Sequence, residues 1–522
     1  MKQLSFFLSV SFLCSITIAQ NQAPIITNYS GDIDEVNEQL IINYDLQDAE
    51  NDDVEISFNV TDNHGKNFLI NTANATGDVG FPITAGSSKK ITWNYNGLIT
   101  NIASARIRLI ADDRQSVDIQ AIVNEVDSNR MITDLTYLTS DIRNRSVNPT
   151  FLNDCKDYIE QVFDDNSLYH YRHEFTFGNY TAHNLIANLQ GVDDEQKIWI
   201  IDAHYDAVSN TPGADDNGSG TVGMLEALRV LSKYNFNSSI KFIGFDLEEP
   251  GLIGSEDYVT NGGIESYEQI IGAINYEMIG YYSEEPNSQT TPFGFDQLFP
   301  QQYQQTQADN FRGNFITNVS NSSSSTIMNS FEINANTYVP DLKVISLKEP
   351  SGFPVSDLRR SDHASFWDNG YRAIMLTDGA ENRNTDYHTP NDTMGQLSFT
   401  FMSNVVKATV ATIAELAQVK HSTSVQFGLY PTGVSNNKKL AHQISVFPNP
   451  VNDYFTIKIP QLNHTKTIRI TDLQGKIIIE RELLSNVEKL SLSADNLQSG
   501  SYFIILSNDN QTLALQKLLV TH

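Results

Sequence analysis

Hydrophobic and polar residues alternate along the first part of the chain, as they do in strands with one buried face. In the run VEISFNV the apolar side chains share a face: Val54, Ile56, Phe58 and Val60. EQLIINYDL and ARIRLIADD repeat the alternation, and turn-rich stretches such as DAENDD and DNHGK separate the runs. Residues 20–120 are therefore predicted to form a β-sandwich.

From about residue 121, helical and strand patterns follow one another. SNRMITDLTYLTSDIRNR and SGTVGMLEALRVLSKY carry apolar residues at helical spacing. Four shorter runs are typical of buried strands: IWIIDAH, IKFIGFDLEE, IIGAINYEM and YRAIMLTDG. This order predicts an α/β unit over residues 121–420, with a central mixed, largely parallel sheet flanked by helices. In such sheets, sites gather at the carboxyl ends of the strands.

The last part of the chain returns to strand patterns. Residues 421–443 lack periodicity and are predicted to be a linker. In the following run, VFPNPVNDYFTIKIP, the side chains of Phe455, Ile457 and Ile459 alternate, so residues 444–522 are predicted to form a small second β-sandwich. The predicted fold is thus an α/β unit between an N-terminal Ig-like or fibronectin-like sandwich and a C-terminal one.

The first nineteen residues, MKQLSFFLSVSFLCSITIA, have the composition of a secretory signal peptide. A lysine precedes a short apolar run, and the small residue Ala19 ends it. The run is shorter than the roughly 20 residues of a spanning helix, and no later segment is long and apolar enough. The sequence therefore predicts an exported protein, secreted or at the cell surface, with no stable membrane insertion.

Composition narrows the classes of partner. The 522 residues include 63 Asp and Glu against 34 Lys and Arg, a formal net charge of -29. A surface of that sign repels nucleic acid, so nucleic acid is not an expected partner. Only Cys155 remains after the predicted signal, which excludes an internal disulfide framework and a thiolate metal cluster from the mature chain.

The stretch HYDAVSNTPGADDNGSG combines an imidazole with three carboxylates. His204 ends the predicted strand IWIIDAH, and Asp206 lies on the same side two residues later, where it can accept the second ring N–H of a metal-binding histidine. Asp215 and Asp216 follow in a glycine-flanked loop before a helix. A carboxylate there can bridge two cations, although adjacent aspartates are more often helix caps.

Three further acids end apolar strands, at the edge where a site is expected. Glu248 and Glu249 follow IKFIGF, and Glu277 follows IIGAINY. Neighbouring carboxylates on an extended segment point to opposite sides, so one of the first two can bind metal while the other acts as a base. His388 lies in the turn-rich loop TDYHTPNDT after another predicted strand. Two imidazoles with one bridging and two terminal carboxylates suit a pair of Zn²⁺ ions that share a water.

Five blocks resemble the M28 zinc peptidases in order, across roughly residues 122 to 417: HYDAVSNTPGADDNGSG, DLEEPGLIGSEDY, INYEMIGY, RRSDHASFWDNGYRAIMLTDG and DYHTPNDT. The resemblance implies that His204 and Glu277 hold one zinc, that Glu249 and His388 hold the other, and that Asp215 bridges them. It also implies a cis peptide bond after Asp215.

The same resemblance implies roles for the surrounding residues. Glu248 would be the general base and Asp206 would orient His204, while Asp216 and Asp362 would support the ligands. Ser361, beside Asp362, is equally well explained as a helix cap. Most members have aspartate where this chain has Glu277, whose longer side chain is expected to bind with a slightly shifted geometry.

The resemblance implies a secreted dizinc aminopeptidase that acts on peptide substrates. Residues 283–340 are expected to help shape its specificity pocket. Glutaminyl cyclases of similar fold are one alternative. A carboxypeptidase is another, because Arg359 and Arg360 could grip a substrate carboxylate. A binding module with an inactive site is disfavoured, because no expected ligand is missing.

The C-terminal module resembles the type A sorting domains of type IX secretion systems. The resemblance rests on VFPNPVNDYFTIKI, ITDLQGKII and LQSGSYFIIL, followed by QKLLV. It implies that the type IX secretion machinery is a partner, which carries the chain through the periplasm and across the outer membrane. The alternative is a carbohydrate-binding sandwich.

Overall fold

The computed structural model describes residues 21–431 and most of the C-terminal region, namely residues 444–452, 454–459, 466–472, 476–483, 489–494, 497–508 and 511–521. The predicted signal peptide over residues 1–19 lies outside the described residues, as do residues 432–443 of the predicted linker.

Two antiparallel sheets form the N-terminal β unit. Its strands are β1 (Ile25–Asp34), β2 (Gln39–Gln47), β3 (Val54–Thr61), β4 (Thr76–Gly77), β5 (Gly80–Ile83), β6 (Gly86–Asn94) and β7 (Arg106–Asp112). One sheet contains β1, β2, β6 and β4, and the other contains β7, β3 and β5. The four alternating residues of β3 are buried in a core that both sheets share, as predicted.

The central α/β unit alternates helices with strands. Its strands are β8 (Tyr169–Phe177), β9 (Tyr180–Leu189), β10 (Asp194–His204), β11 (Asn235–Phe236), β12 (Ser238–Phe245), β13 (Gln269–Tyr276), β14 (Ile316–Ser320), β15 (Val344–Lys348), β16 (Ala373–Thr377) and β17 (Val419–Lys420). Its helices are α1 (Ile119–Val123), α2 (Ser128–Leu138), α3 (Pro149–Asp165), α4 (Gly220–Leu231), α5 (Ile253–Thr260), α6 (Phe295–Leu298), α7 (Pro300–Ala308), α8 (Ser325–Tyr338), α9 (His363–Asp368) and α10 (Phe399–Leu416).

Eight of these strands form one mixed sheet in the order β15-β14-β16-β13-β10-β12-β9-β8. Strands β16, β13, β10 and β12 at its centre are parallel, so their carboxyl ends meet at one edge. Helices α2, α3, α4, α8 and α10 pack against one face, and α5 and α9 pack against the other. The structure confirms the predicted mixed sheet between layers of helices.

After α10 the chain returns to the N-terminal β unit. Strand β18 (Ser422–Gly428) pairs with β7, and β19 (Tyr430–Pro431) pairs with β1. The linker predicted over residues 421–443 is therefore wrong for its first part. The periodic signal is missing because β18 lies at the edge of its sheet and is polar, with Phe427 as its one residue fully buried in the shared core.

Buried polar contacts join the β unit to the α/β unit. The guanidinium of Arg108 on β7 is buried and donates hydrogen bonds to the carbonyls of Gln190 (3.0 Å) and Gly191 (2.7 Å). The backbone N–H of Phe68 donates to Glu195 at the start of β10. These contacts lie at the end of β10 opposite to His204, so the β unit supports the far edge of the sheet.

Within its described residues, the C-terminal module contains seven strands: β20 (Ser445–Phe447), β21 (Tyr454–Lys458), β22 (Lys466–Thr471), β23 (Ile477–Leu483), β24 (Lys489–Ser493), β25 (Gly500–Asn508) and β26 (Gln511–Val520). They make two sheets around one apolar core, in which Phe455, Ile457 and Ile459 are buried. Among the described helices, none combines the length and apolar character that crossing a membrane requires.

We expect Arg108→Ala to lower the free energy of unfolding by about 2–4 kcal/mol, because two buried carbonyls lose their donors and a large side chain is removed. Thermal unfolding followed by circular dichroism measures the change. Arg114→Ala is the control, since Arg114 on the same unit is exposed and pairs with Glu55 at the surface. If Arg108→Ala lowered the free energy of unfolding no more than Arg114→Ala does, the buried hydrogen bonds of Arg108 would add no measurable stability.

Candidate metal centre

The ends of three parallel strands bring the candidate ligands to one edge of the sheet. His204 is the last residue of β10, and Glu277 directly follows β13. Glu248 and Glu249 follow β12 within four residues. His388 belongs to the loop between β16 and α10. The structure thus places these five residues at the predicted edge.

Two groups of three side chains could each hold a metal ion. The first contains His204, Asp216 and Glu277, and the second contains Asp216, Glu249 and His388. In the first group, Nε2 of His204 lies 3.4 Å from an oxygen of Asp216 and 3.4 Å from an oxygen of Glu277. A tetrahedral zinc with bonds of about 2.1 Å keeps its ligand atoms about 3.4 Å apart. The spacing therefore fits zinc.

The second group uses the other oxygen of the shared carboxylate. Nε2 of His388 lies 2.9 Å from Oδ2 of Asp216 and 3.3 Å from Oε2 of Glu249, whereas Oδ1 of Asp216 faces His204. Asp216 therefore stands between the two groups, with one oxygen directed to each.

The prediction that Asp215 is the bridge is wrong. Oδ1 of Asp215 accepts a hydrogen bond from the backbone N–H of Gly280 (3.0 Å), and Oδ2 accepts one from Asn384 (2.9 Å). Asp215 thus points away from both histidines and fixes the turn that carries Asp216. The cis peptide bond likewise joins Asp216 to Asn217, one residue later than expected. Asp216 is a candidate ligand rather than a supporting residue.

The free ring nitrogens fit a metal. Among the residues that the structure describes, Nε2 of His204 and Nε2 of His388 are buried and face carboxylate oxygens at 2.9 to 3.8 Å without a well-aligned hydrogen bond. Burial alone would lower the pKa of both imidazoles, but the surrounding carboxylates raise it, to about 10 for His388. A bound cation would replace these protons, because a metal-binding imidazole is neutral.

Asp206 contacts both a ligand and the candidate base. Its Oδ1 lies 3.4 Å from Nδ1 of His204, on the ring side away from the metal groups, and accepts a hydrogen bond from the backbone N–H of Glu248 (3.1 Å). The carboxylate of Glu248 belongs to neither group of ligands, although one oxygen lies 3.8 Å from Nε2 of His204. Burial raises the pKa of Glu248 well above its usual range.

Ser361 contacts Glu277, the candidate ligand that departs from the family pattern, instead of capping helix α9. Its hydroxyl donates a hydrogen bond of 2.7 Å to Oε2 of Glu277. The longer glutamate is thereby held in place. Asp362 is fully buried beside this pair, and burial raises its pKa to about 7. Asp362 belongs to neither group of ligands.

The loops of the candidate metal centre are held by two buried residues, Asp392 and Arg143. Neither was singled out from the sequence. The carboxylate of Asp392 accepts hydrogen bonds from the backbone N–H groups of Asp215 (2.9 Å) and Asp216 (3.2 Å), and so ties their turn to the loop of His388. The guanidinium of Arg143 donates to four carbonyls, those of Leu138, Tyr205, Pro212 and Gly213. Asp392 could have been found within the block DYHTPNDT, whereas Arg143 has no sequence signal.

A pocket lies next to Glu277. It has an empty volume of about 1100 Å³, counting its open mouth. Its walls are mostly apolar and come from three strands and the segment around α6, with Phe295, Leu298, Phe315, Val319, Leu347 and Met375 among them. Residues 289–319 supply many of the lining side chains and lie within the range, 283–340, that is expected to shape a specificity pocket, a role that stays a prediction.

Comparisons with known proteins find matches to the α/β unit and to the C-terminal module. The model of peptidase family M28 matches residues 184–413, and that of the secretion system C-terminal sorting domain matches residues 445–521. Escherichia coli (strain K12) YfbL is 32% identical over 292 residues, which are 52% of this chain and 84% of YfbL. Aminopeptidase YwaD of Bacillus subtilis (strain 168) is 39% identical over 109 residues, 20% of this chain and 23% of YwaD.

Among solved structures, the Legionella pneumophila LapA aminopeptidase is 23% identical, covers 58% of this chain and 78% of LapA, and has a TM-score of 0.45. The family matches and the paired ligand groups define a metallo-exopeptidase. The chain belongs to peptidase family M28, and its C-terminal region is a secretion sorting domain, which indicates export. Both resemblances read from the sequence are confirmed.

We expect Asp392→Asn to weaken zinc binding about 10- to 100-fold, because its amide NH₂ would face one of the two backbone N–H groups. Titration of metal-free protein against a chelator measures the affinity. Asp386→Asn is the matched control, since Asp386 lies in the same loop but binds Gln396. Equal zinc affinities in the two variants would contradict the role of Asp392.

Proposed function

We propose that the chain is an exported dizinc aminopeptidase, which removes N-terminal residues from peptides. The observation that carries this proposal is the pair of ligand groups that share Asp216 beside an apolar pocket. His204 and Glu277 would hold one zinc, His388 and Glu249 the other, and Asp216 would bridge them.

Glu248 is the proposed general base. When bound, the zinc ions would acidify a water and polarise the scissile carbonyl. Glu248 takes a proton from the attacking water and returns it to the leaving amine. Asp206 supports this role, because it holds both the His204 ring and the backbone of Glu248.

Substrate selection follows from charge and shape. The free α-amine of a peptide is a cation, so the carboxylates around Glu277 attract it and restrict cleavage to the chain end. The side chain of the first residue then enters the apolar pocket, which Glu277 borders. A large apolar first residue is therefore preferred over a small one.

Export is proposed to use the type IX secretion machinery. The match of residues 445–521 to a secretion sorting domain and the predicted signal peptide support a route through the periplasm and across the outer membrane. The protein would then act on peptides at the cell surface or in the medium.

Carboxypeptidase activity is less well supported, because both candidate arginines already have acidic partners. Arg359 pairs with Asp368 and Glu349, and Arg360 pairs with Glu381. Cyclase activity is less well supported because two groups of candidate ligands lie together, whereas glutaminyl cyclases of similar fold use one zinc.

The purified mature chain is expected to contain two zinc ions and to cleave leucine anilide. Chelation should abolish cleavage, and added zinc should restore it.

Leucine anilide should be cleaved about 10- to 100-fold faster than alanine anilide, because three more carbons are buried in the pocket. Peptides with an acetylated N-terminus should be inert. Their cleavage, or cyclisation of an N-terminal glutamine, would support the alternatives.

Glu248→Gln is expected to lower kcat about 100- to 10,000-fold, since the amide cannot take the proton from water. The zinc content should stay at the wild-type value, because Glu248 belongs to neither group of ligands. Glu256→Gln, an exposed change on the adjacent helix α5, is the control and should leave kcat unaltered. Full activity of Glu248→Gln would overturn the assignment of the base.

A further inference from the structure

The order of strands gives a bound peptide a direction. Strands β14, β15 and β16 line the apolar pocket, whereas three of the candidate ligands, Glu277, His204 and Glu249, lie at or just after the ends of β13, β10 and β12. If the first residue of a peptide occupies the pocket, the rest of the peptide leaves across the metal groups towards the other side of the sheet. That side is formed by β9 and β8. This step rests on the proposed aminopeptidase function.

The hairpin of β8 and β9 projects beyond the sheet on that side. Strand β9 pairs with β12 only as far as Leu185, opposite Gly244, whereas its pairing with β8 continues to Tyr180, opposite Phe177. Tyr180 lies five residues beyond Leu185, which is about 16 Å along an extended strand. The hairpin therefore rises past the edge at which the metal-binding residues lie.

The base of this projection packs directly against the segment of Glu248. Phe175 and Ala182 form a small apolar cluster with Leu247, the residue before the candidate base. The hydroxyl of Tyr205, the residue after His204, donates a hydrogen bond of 2.7 Å to the carbonyl of His183. The hairpin is thus anchored beside both the base and a metal ligand.

The tip of the hairpin, residues 177–180, presents two aromatic side chains to solvent. Phe177 is 38% exposed and Tyr180 is 46% exposed. The guanidinium carbon of Arg145 lies over the Tyr180 ring, 5.5 Å from its centre, in a cation–π contact. Exposed aromatic rings on paired strands are suited to apolar contacts with an extended chain.

We propose that the tip of the β8–β9 hairpin binds the leaving part of a peptide substrate, through apolar residues two or three positions after the cleaved bond. The tip then distinguishes longer peptides from single-residue amides. An anilide has no residues beyond the leaving group and cannot reach the tip.

The test compares two substrates in the zinc-loaded mature chain. The double variant Phe177→Ser/Tyr180→Ser is expected to lower kcat/KM for a pentapeptide with apolar residues at positions three and four about 5- to 30-fold, mainly through KM. Its kcat/KM for leucine anilide should be unaltered. Phe81→Ser, an exposed aromatic position on the N-terminal β unit, is the control and should affect neither substrate.

An equal loss with both substrates, or a loss with neither, would overturn the proposal. A second arm needs no turnover. A fluorescently labelled form of the same pentapeptide should bind to Glu248→Gln more weakly, by a similar factor, when Phe177→Ser and Tyr180→Ser are added. If the chain cleaves no anilide but peptide binding still depends on the tip, the aminopeptidase function fails and the role of the tip stands. Binding that does not depend on the tip overturns that role.

Discussion

The candidate metal centre requires that several negatively charged carboxylates be held close together out of water. Carboxylates and imidazoles crowd one edge of the sheet, with His204 and Asp216 almost fully buried. Burial and mutual repulsion oppose such a cluster unless cations and hydrogen bonds compensate. The ends of the strands fix most of the carboxylates and imidazoles. In the loops, Asp392 accepts hydrogen bonds from backbone N–H groups, and Arg143 donates hydrogen bonds to backbone carbonyls. The arrangement is therefore suited to bind cations before it meets a substrate.

The strand-ending residues of the centre could be predicted from the sequence because apolar strands have readable ends. His204 ends such a strand, Glu248, Glu249 and Glu277 follow one, and parallel strands share a carboxyl edge. The adjacent aspartates could not be told apart in the same way. Gly213 precedes them in a left-handed conformation, and Asp216 itself departs from helical geometry. The direction of each side chain is therefore set by the backbone of an irregular turn, which residue types alone do not reveal.

Long-range contacts account for what the sequence did not reveal. Arg143 resembles a surface residue by type, yet it is fully buried, and it donates hydrogen bonds to one nearby carbonyl and to three carbonyls of a distant segment. Strand β18 is mostly polar, and its place is fixed by backbone pairing with β7. Neither feature leaves a periodic pattern, because each depends on a partner that is distant in the chain. The mixed sheet of the α/β unit and its flanking helices, in contrast, follow from local patterns and were predicted correctly.

The return of the chain to β7 makes the catalytic unit an insertion within the N-terminal β unit. Strands β7 and β18 are neighbours in space but roughly 300 residues apart in the chain, and such non-local pairing forms slowly. A ribosome that has finished β7 must synthesise the whole α/β unit before the matching edge exists. Until then β7 has unpaired backbone groups, which are a template for aggregation.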